Sequence, residues 1–536
     1  MNKVAAYLNE HVTGEVITQD AAISAVERDG SMLLRRPEMV ARPAHVNDIR
    51  KIMRFCSQLA DKGHVLPVTV RGAGTDKSAG AVGTGIVIDL GYYMHHVMGI
   101  DPRQQLVHVQ AGISYTAVQA TLSTHKGLGL PSLSLTAEDG TIGGAIGSGT
   151  AGMLAGLYGT VGQAAQQAEV ILSSGDVIQT GRISKRELGK KKGLATFEGE
   201  IYRQLDNLIT DNAGLVARLT NCKFDTTGFA GISQVKRKDG SFDLTPLLVG
   251  AQGALGIIGE VILKAQFIRP ELTIVAVAYE TMSDAQAAAD LALDMKASGV
   301  EIIDGRLCAR AAAQGKKLSW APEGCYKAGA VVLAMFDDFS ERARATAAKK
   351  FIKRVSAMPS LALETIEAEI QDMPSTMHAV LGLAEHPAEP HSIVPGVFAG
   401  LWLPRVQLDN FLATLRTLEA SYGLAIPVFI DVATGLMHLY PVFSAKKVSD
   451  RQKILKLSAE LARVLPEHEG TFAGQGGEGR LKASFMWPAL PHDERDLYQQ
   501  IRQIFDPQGI LADGVKQEVS VRDVAAELNA WCRMHD

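Results

Sequence analysis

Arg71, Gly72, Ala73, Gly74 and Thr75 open the loop RGAGTDKSAG (71–80), whose small residues free backbone amides to meet an anion while the arginine supplies positive charge. It is neither of the two common phosphate loops. A P-loop needs Gly-Lys-Ser/Thr after four spacers, and Lys77 follows Asp76. A dinucleotide fingerprint needs G-x-G-x-x-G at the start of a helix, and this loop runs on into GIVIDL, a strand-like run. A second stretch of the same character spans 140–152, where Gly140, Gly143, Gly144, Gly147, Gly149 and Gly152 alternate with Thr141, Ile142 and other small residues. Missing Cβ atoms let a flat or charged ligand reach the backbone, although tight packing of a helix on a sheet uses the same composition. Two such segments, each after a strand, favour one large ligand gripped by both.

Acid–base and anion chemistry has its candidates in the second half. DVATGLMH holds Asp431 and His438; GEGRLK holds Glu478, Arg480 and Lys482. Imidazole is the side chain that ordinarily titrates near neutrality, so His438 is a candidate base and Asp431 a candidate orienter. An ordinary strand-edge histidine and a loop carboxylate are the alternatives. Arg480 or Lys482 could bind an anionic substrate, though solvated basic residues are commoner. His386 and His391, in EHPAEPHSIVPG, read as loop residues.

These residues need elements to position them. The strands VLPVTV and GIVIDL flank the first loop. Before them, a helix presents Ile49, Ile52, Met53 and Cys56 on one face, with Asn47 as its cap. AEVILSSGDVIQTG is a hairpin, and GRISKRELGKKKG (181–193) is a charge run read as a solvated surface loop. After Arg269-Pro270 the rhythm changes. ELTIVAVAYE, SDAQAAADLALDMKASG and VEIIDGRL make a strand, a helix and a strand; AGAVVLAMFDD, SERARATAAKKFIKRVSAM and LALETIEAE repeat the order. Two such units predict an antiparallel sheet with helices on a single face, the ferredoxin-like arrangement, enlarged by GVFAGLWLP, QLDNFLATLRTLEASYG and AIPVFID.

Bulk properties narrow the class. The 536 residues suffice for two to four domains, and 46% hydrophobic with 21% charged is the composition of a soluble globular protein. A formal charge of -4 gives no field to gather nucleic acid or anionic lipid. The opening MNKVAAYLNEHVTGEV lacks a signal-peptide core, and no run nears the roughly 18 apolar residues of a membrane span. A cytoplasmic protein, at most peripheral to a membrane, is expected. Cys56, Cys222, Cys308, Cys325 and Cys532 lie far apart with no C-x-x-C pair, so no disulfide framework, structural zinc site or cysteine-held iron–sulfur cluster is written here. A redox centre would be organic or on a partner.

The segments PVTVRGAGTDKSAGAVGTGIVIDL, GTIGGAIGSGTAG, LYGTVGQAAQQAEVILSSGDVIQTG and LLVGAQGALGIIGEVILK follow the order seen in FAD-linked oxidases. The chain resembles the vanillyl-alcohol oxidase/para-cresol methylhydroxylase superfamily over roughly residues 35–516. GTFAGQGGEGRLKA and IFDPQGILADGVK are similar to the branch of D-lactate dehydrogenase and the glycolate oxidase flavin subunit. The resemblance implies an α+β fold: a lead segment (1–37), a two-lobed PCMH-type FAD-binding domain (38–269), a ferredoxin-like cap (270–500) and a segment returning to the FAD domain (501–536). By position, Arg71 to Thr75 would surround the FAD pyrophosphate. Thr141, Ile142, Gly143, Gly144, Gly147 and Gly152 would follow the flavin, and Ile257 and Ile258 would lie near the adenine. Thr75 stands where relatives with covalent flavin often carry His, which implies non-covalent FAD.

Departures from the family pattern matter on the substrate side. Ala251, Gln252, Gly253 and Ala254 replace a common Ser-Glu-Gly-Thr. Asp431 replaces one metal-binding His, and Gln475 and Gly476 replace a Glu and a His, so no metal is expected. The arginine that pairs with a substrate carboxylate is absent from VLGLAEHP (380–387). The implied function is an FAD-dependent oxidoreductase taking a hydride from a small D-2-hydroxyacid-like or alcohol substrate. Oxygen, a quinone or an electron-accepting protein would reoxidise it, and a homodimer is the expected assembly. The alternatives are a flavin-binding electron-transfer subunit of a larger complex and, third, a nucleotide-binding regulatory protein.

Overall fold

A computed structural model describes residues 3–125, 127–130, 139–221, 224–269, 271–322, 324–373 and 379–534; Cys222 and Pro270 lie outside them. The apolar strand VTVR (Val68–Arg71) lies parallel to IVID (Ile86–Asp89), Val68 opposite Ile86 and Arg71 opposite Asp89. Parallel strands need a crossover connection, usually a helix. Here residues 72–85 make it as an irregular loop, so the first glycine-rich segment stands at the strand ends. Met39–Arg42 and Glu15–Ile17 complete a four-stranded sheet in the order Glu15–Ile17, Met39–Arg42, Ile86–Asp89, Val68–Arg71.

The helix Val46–Ala60 packs here with Ile49, Ile52, Met53 and Cys56 all buried, as the spacing predicted. Each such aliphatic side chain contributes about 1.5–3 kcal/mol. Asn47 is not the cap. The helix begins at Val46, and buried Asp48 accepts from the N–H groups of Thr13, Gly14 and Ala44 at 2.9 Å each, tying the N-terminal segment to it.

A five-stranded antiparallel sheet forms the second lobe, in the order Val97–Asp101, Leu106–Gln110, Ile257–Lys264, Ala165–Ile171, Val177–Gln179. The charge run is a helix rather than a loop. Ser184 and Glu187 form a capping box at the start of Lys185–Lys192, and Lys191 and Lys192 pair with Glu198 and Asp206 of the next helix.

The second half is built on a seven-stranded antiparallel sheet. Its order is Ser360–Glu369, Glu271–Tyr279, Ala330–Asp337, Gly299–Asp304, Val428–Asp431, Leu436–Leu439, Leu401–Trp402. The first four, numbered along the chain, run fourth-first-third-second, which is the ferredoxin-like order. Helices Met282–Asp294 and Glu341–Val355 cover the face bearing Val275, Val277, Val332 and Ala334. Leu272, Ile274, Leu333 and Met335, on the other face, pack with the shorter helix Gly305–Ala313 and with Leu381 of Ala379–Glu385. Near the C-terminus the chain returns to the first sheet: Val68 N–H donates to Ile510 O and Ala512 N–H to Val68 O, both at 2.8 Å. No helix among the described residues is long and apolar enough to cross a membrane.

Candidate cofactor and substrate site

A cavity of about 270 Å³ opens where the two halves meet. From the first half it is walled by residues 72–78, the glycine-rich helix Ile142–Ser148 and the turn around Gln252; from the second by Leu381, Glu385, Ala399, Gly400, His438, Tyr440, Gln475, Gly476 and Lys482.

Gly72, Ala73, Gly74 and Thr75 line this cavity, but Arg71 does not. Its Nη1 donates to the carbonyls of Arg28 (2.8 Å) and Ala81 (3.3 Å), and a Cβ at Gly74 (φ +73°) would come within 2.0 Å of its Nη2. The guanidinium therefore lies beneath the loop and braces it. The expectation that it brings charge to a pyrophosphate is corrected accordingly. Among the described residues, none of the backbone N–H groups of residues 72–77 donates to another protein group. They form a row of uncommitted donors suited to an anion.

Helix Ile142–Ser148 works differently. Its first amides are already engaged: Ile142 N–H with Ile113 O, Gly143 N–H with Ala111 O, and Gly144 N–H with the capping Thr141 Oγ1. It contributes room instead of donors. Gly140 and Gly147 have no positive φ, and a Cβ on either would find its nearest atom among the described residues 3.8 Å away. Neither strain nor packing requires glycine at these positions, yet both border the cavity. Glycine inside a helix costs about 0.5–1 kcal/mol relative to alanine. At Gly147, inside the helix, a ligand lying against it would account for that cost. Gly72 and Gly143 are glycines for close packing, since a Cβ would meet Thr141 Oγ1 at 2.1 Å or Ala111 Cβ at 2.7 Å. Ile142, Gly152 and Ile257 are buried away from the cavity; Ile258, on the opposite face of the strand from Ile257, lines it. The two glycine segments thus fit a large anionic ligand with a flat body, and FAD is such a ligand.

Gln252 joins three segments at the cavity wall. Its Nε2 donates to Asp76 Oδ2 (2.8 Å) and Ser78 Oγ (3.0 Å), while its Oε1 accepts from Gly479 N–H (2.8 Å). An amide can donate and accept at once; a glutamate here would set a second carboxylate against Asp76. Nothing in the sequence pointed to this bridge beyond the departure at 252 itself.

On the substrate side, Gln475 Oε1 accepts from Ala151 N–H at 2.7 Å. That contact fixes the amide, so its Nε2 faces His438 Nε2 at 3.0 Å and must donate to it. His438 lines the cavity with its Nε2 lone pair already engaged by that donor. Asp431 is not its orienter. Its carboxylate, buried in the turn that follows, accepts from Ala433 and Thr434 N–H at 3.0 and 3.3 Å, and burial pushes its pKa up to about 7. Arg480 is not at the cavity either: it grips Glu527 at 2.9–3.0 Å. Two residues along the same helix, Lys482 turns the other way and reaches the wall. Its Nζ donates to Ala399 O (2.6 Å) and Phe472 O (2.9 Å). Lys77 on the first loop pairs with Glu385 at 2.6 Å, joining the halves across the cavity; sequence reasoning singled out neither residue for this. Among the described residues no three His, Cys, Asp or Glu side chains cluster as metal ligands.

A two-lobed half and a ferredoxin-like half meeting at a glycine-lined cavity with uncommitted loop amides define the class: an FAD-binding fold. Models of the FAD binding domain and of the C-terminal domain of FAD linked oxidases match residues 37–181 and 269–515. The chain is 23% identical to D-2-hydroxyglutarate dehydrogenase of Pseudomonas putida over 95% of its own length and 51% of that protein's. It is 24% identical to glycolate oxidase subunit GlcD of Bacillus subtilis, covering 89% and 88% of the two chains. Its fold is similar to that of 4-ethylphenol oxidase from Gulosibacter chungangensis in an isoeugenol complex, with a TM-score of 0.66, 14% identity and 97% of each chain covered. The chain thus carries an FAD binding domain followed by the C-terminal domain of FAD linked oxidases. It spans about half the length of the D-2-hydroxyglutarate dehydrogenases it matches.

Proposed function

We propose that this protein is an FAD-dependent oxidoreductase that takes a hydride from a small 2-hydroxy acid or related alcohol. The observation that carries the reading is the pair of glycines, Gly140 and Gly147, which border the cavity with no close packing against described residues, together with the uncommitted amides of residues 72–77 in the same wall. FAD would be held by residues 38–269 with the returning segment 501–536, and residues 270–500 would cap it. The amides of 72–77 would hold the diphosphate, and helix Ile142–Ser148 would lie against the flat rings. With Thr75 at its position in the loop, the cofactor is non-covalent. When bound, FAD supplies the two-electron acceptor for the hydride.

The chain's own residues do the rest. Leu381 and Tyr440 line the cavity from the second half, and Gln475 donates to His438 Nε2 and holds the ring in place. A substrate carboxylate would meet Lys77, exchanging with Glu385. The relatives named for D-2-hydroxyglutarate and glycolate support an acid of this kind.

Purified protein is expected to be yellow and to release FAD on denaturation. Anaerobic mixing with D-2-hydroxyglutarate, D-lactate or glycolate should then bleach it. Colourless protein that takes up no FAD contradicts the reading. Reoxidation by oxygen, a quinone or a protein acceptor completes the cycle, and stopped-flow traces with each decide among them. A second reading, an electron-transfer subunit, draws on the half-length match and on the printed name of the glycolate oxidase subunit. Bleaching only in the presence of a partner protein would select it.

A further inference from the structure

We propose that Lys482 is the proton acceptor of this site, its unprotonated amine receiving the substrate hydroxyl proton. The proposal rests on the oxidoreductase reading above and goes further by assigning the base. Lys482 is 2% exposed and lines the cavity, and its Nζ has two hydrogen-bond partners among the described residues, Ala399 O and Phe472 O, both backbone carbonyls. Two carbonyls satisfy the two N–H groups of a neutral amine and leave its lone pair at the remaining tetrahedral position, in a residue that lines the cavity. An ammonium would hold a third N–H there, with no oxygen or nitrogen acceptor among the described residues and only the Phe472 ring, its centroid 5.1 Å from Nζ, to favour it.

The charged surroundings do not rescue the ammonium. Asp76 on the first loop attracts it, but that carboxylate is saturated by Ser78, Gly80 and Gln252. Glu478, at the start of its own helix, already accepts from Trp487 Nε1 and faces Lys516 at 3.8 Å. Lys516, from the C-terminal segment, repels it. Burial dominates and pushes the Lys482 pKa down to about 7.

The other groups at the wall are worse bases. His438 has its Nε2 lone pair engaged by Gln475. Tyr115 and Tyr440 are pushed up by burial, and Glu385 is paired with Lys77. The step balances. The substrate C–H bond breaks with its electron pair leaving as hydride to FAD, the O–H pair becomes the second bond of the carbonyl, and the proton makes the third N–H of Lys482.

The test uses the full-length FAD-loaded protein, with D-2-hydroxyglutarate, D-lactate and glycolate as reductants. In wild type the anaerobic reduction rate should rise about tenfold per pH unit below about pH 7 and level off above it. Lys482→Met should stay yellow and folded yet lose about 10³-fold in that rate, and small primary amines should rescue Lys482→Ala in proportion to their basicity. Independently of turnover, competitive acetylation with acetic anhydride, read by mass spectrometry, should give Lys482 half-reactivity near pH 7. A Lys482 that titrates like an ordinary surface lysine, or a methionine variant reduced at the wild-type rate, overturns the proposal and leaves the oxidoreductase reading standing. Wild-type protein that binds FAD but is reduced by none of the acids overturns that reading and the proposal with it.

Discussion

At the scale of single residues, the wall of the cavity is organised by two amides where acids would be expected. Gln475 and Gln252 each bridge a donor and an acceptor on different segments, which a carboxylate cannot do. Replacing Gln252 by Glu sets like charges within hydrogen-bond distance at Asp76, so FAD affinity should fall about tenfold near pH 8. The loss should shrink toward about pH 5 as the pair takes up a proton, since protonation removes the repulsion. Fluorescence titration with FAD at both pH values checks this; an equal loss at both would point to lost shape, not charge. The two amides were visible in the sequence only as departures from a pattern. Their roles depend on Ala151 and Gly479, hundreds of residues away along the chain, which no local spacing encodes. Arg480 and Lys482 were indistinguishable by composition. Only the turn of the helix between them sends one to Glu527 and the other to the cavity.

Elements were more legible, because period and capping are local. The alternating units after residue 270 gave the ferredoxin-like order, and the apolar stripe of Val46–Ala60 gave its buried face. The segment 181–193 went the other way. Its lysines and arginines suggested solvent, whereas Ser184 and Glu187, three residues apart, were a helix signal in the same stretch. Ser184→Ala should destabilise the protein by about 1 kcal/mol and leave FAD binding unchanged, read by denaturant unfolding. The glycine-rich helix Ile142–Ser148 makes a sharper case, since its glycines do different work. Gly143→Ala should destabilise the apoprotein, because Ala111 Cβ and O stand 2.7 and 2.9 Å from the new methyl group. An unchanged melting temperature would contradict the close packing inferred there.

For the molecule as a whole, buried ionisable groups give stability its pH dependence. The Asp431 pKa rises from 3.8 to about 7 in the fold, so the folded state binds more protons than the unfolded one across that window. Its contribution is present below the window and is lost as pH climbs through about 7. Asp431→Asn, which keeps an acceptor for Ala433 and Thr434, should therefore raise the melting temperature by several degrees near pH 8 and change it little at about pH 4. A variant less stable than wild type near pH 8 would contradict the assignment. The meeting of the halves was the part least readable from the sequence, because Lys77 and Glu385, or Ala151 and Gln475, become neighbours only after both sheets have formed. That junction carries the central claim, that the space beside Gly140 and Gly147 is kept for FAD. The most direct test compares FAD binding isotherms of wild type and Gly147→Val, each paired with the melting curve of its apoprotein. The account predicts a folded variant, since a Cβ at 147 makes only ordinary contact with Gln252, that binds FAD at least tenfold more weakly; equal affinity in an equally folded variant would contradict it.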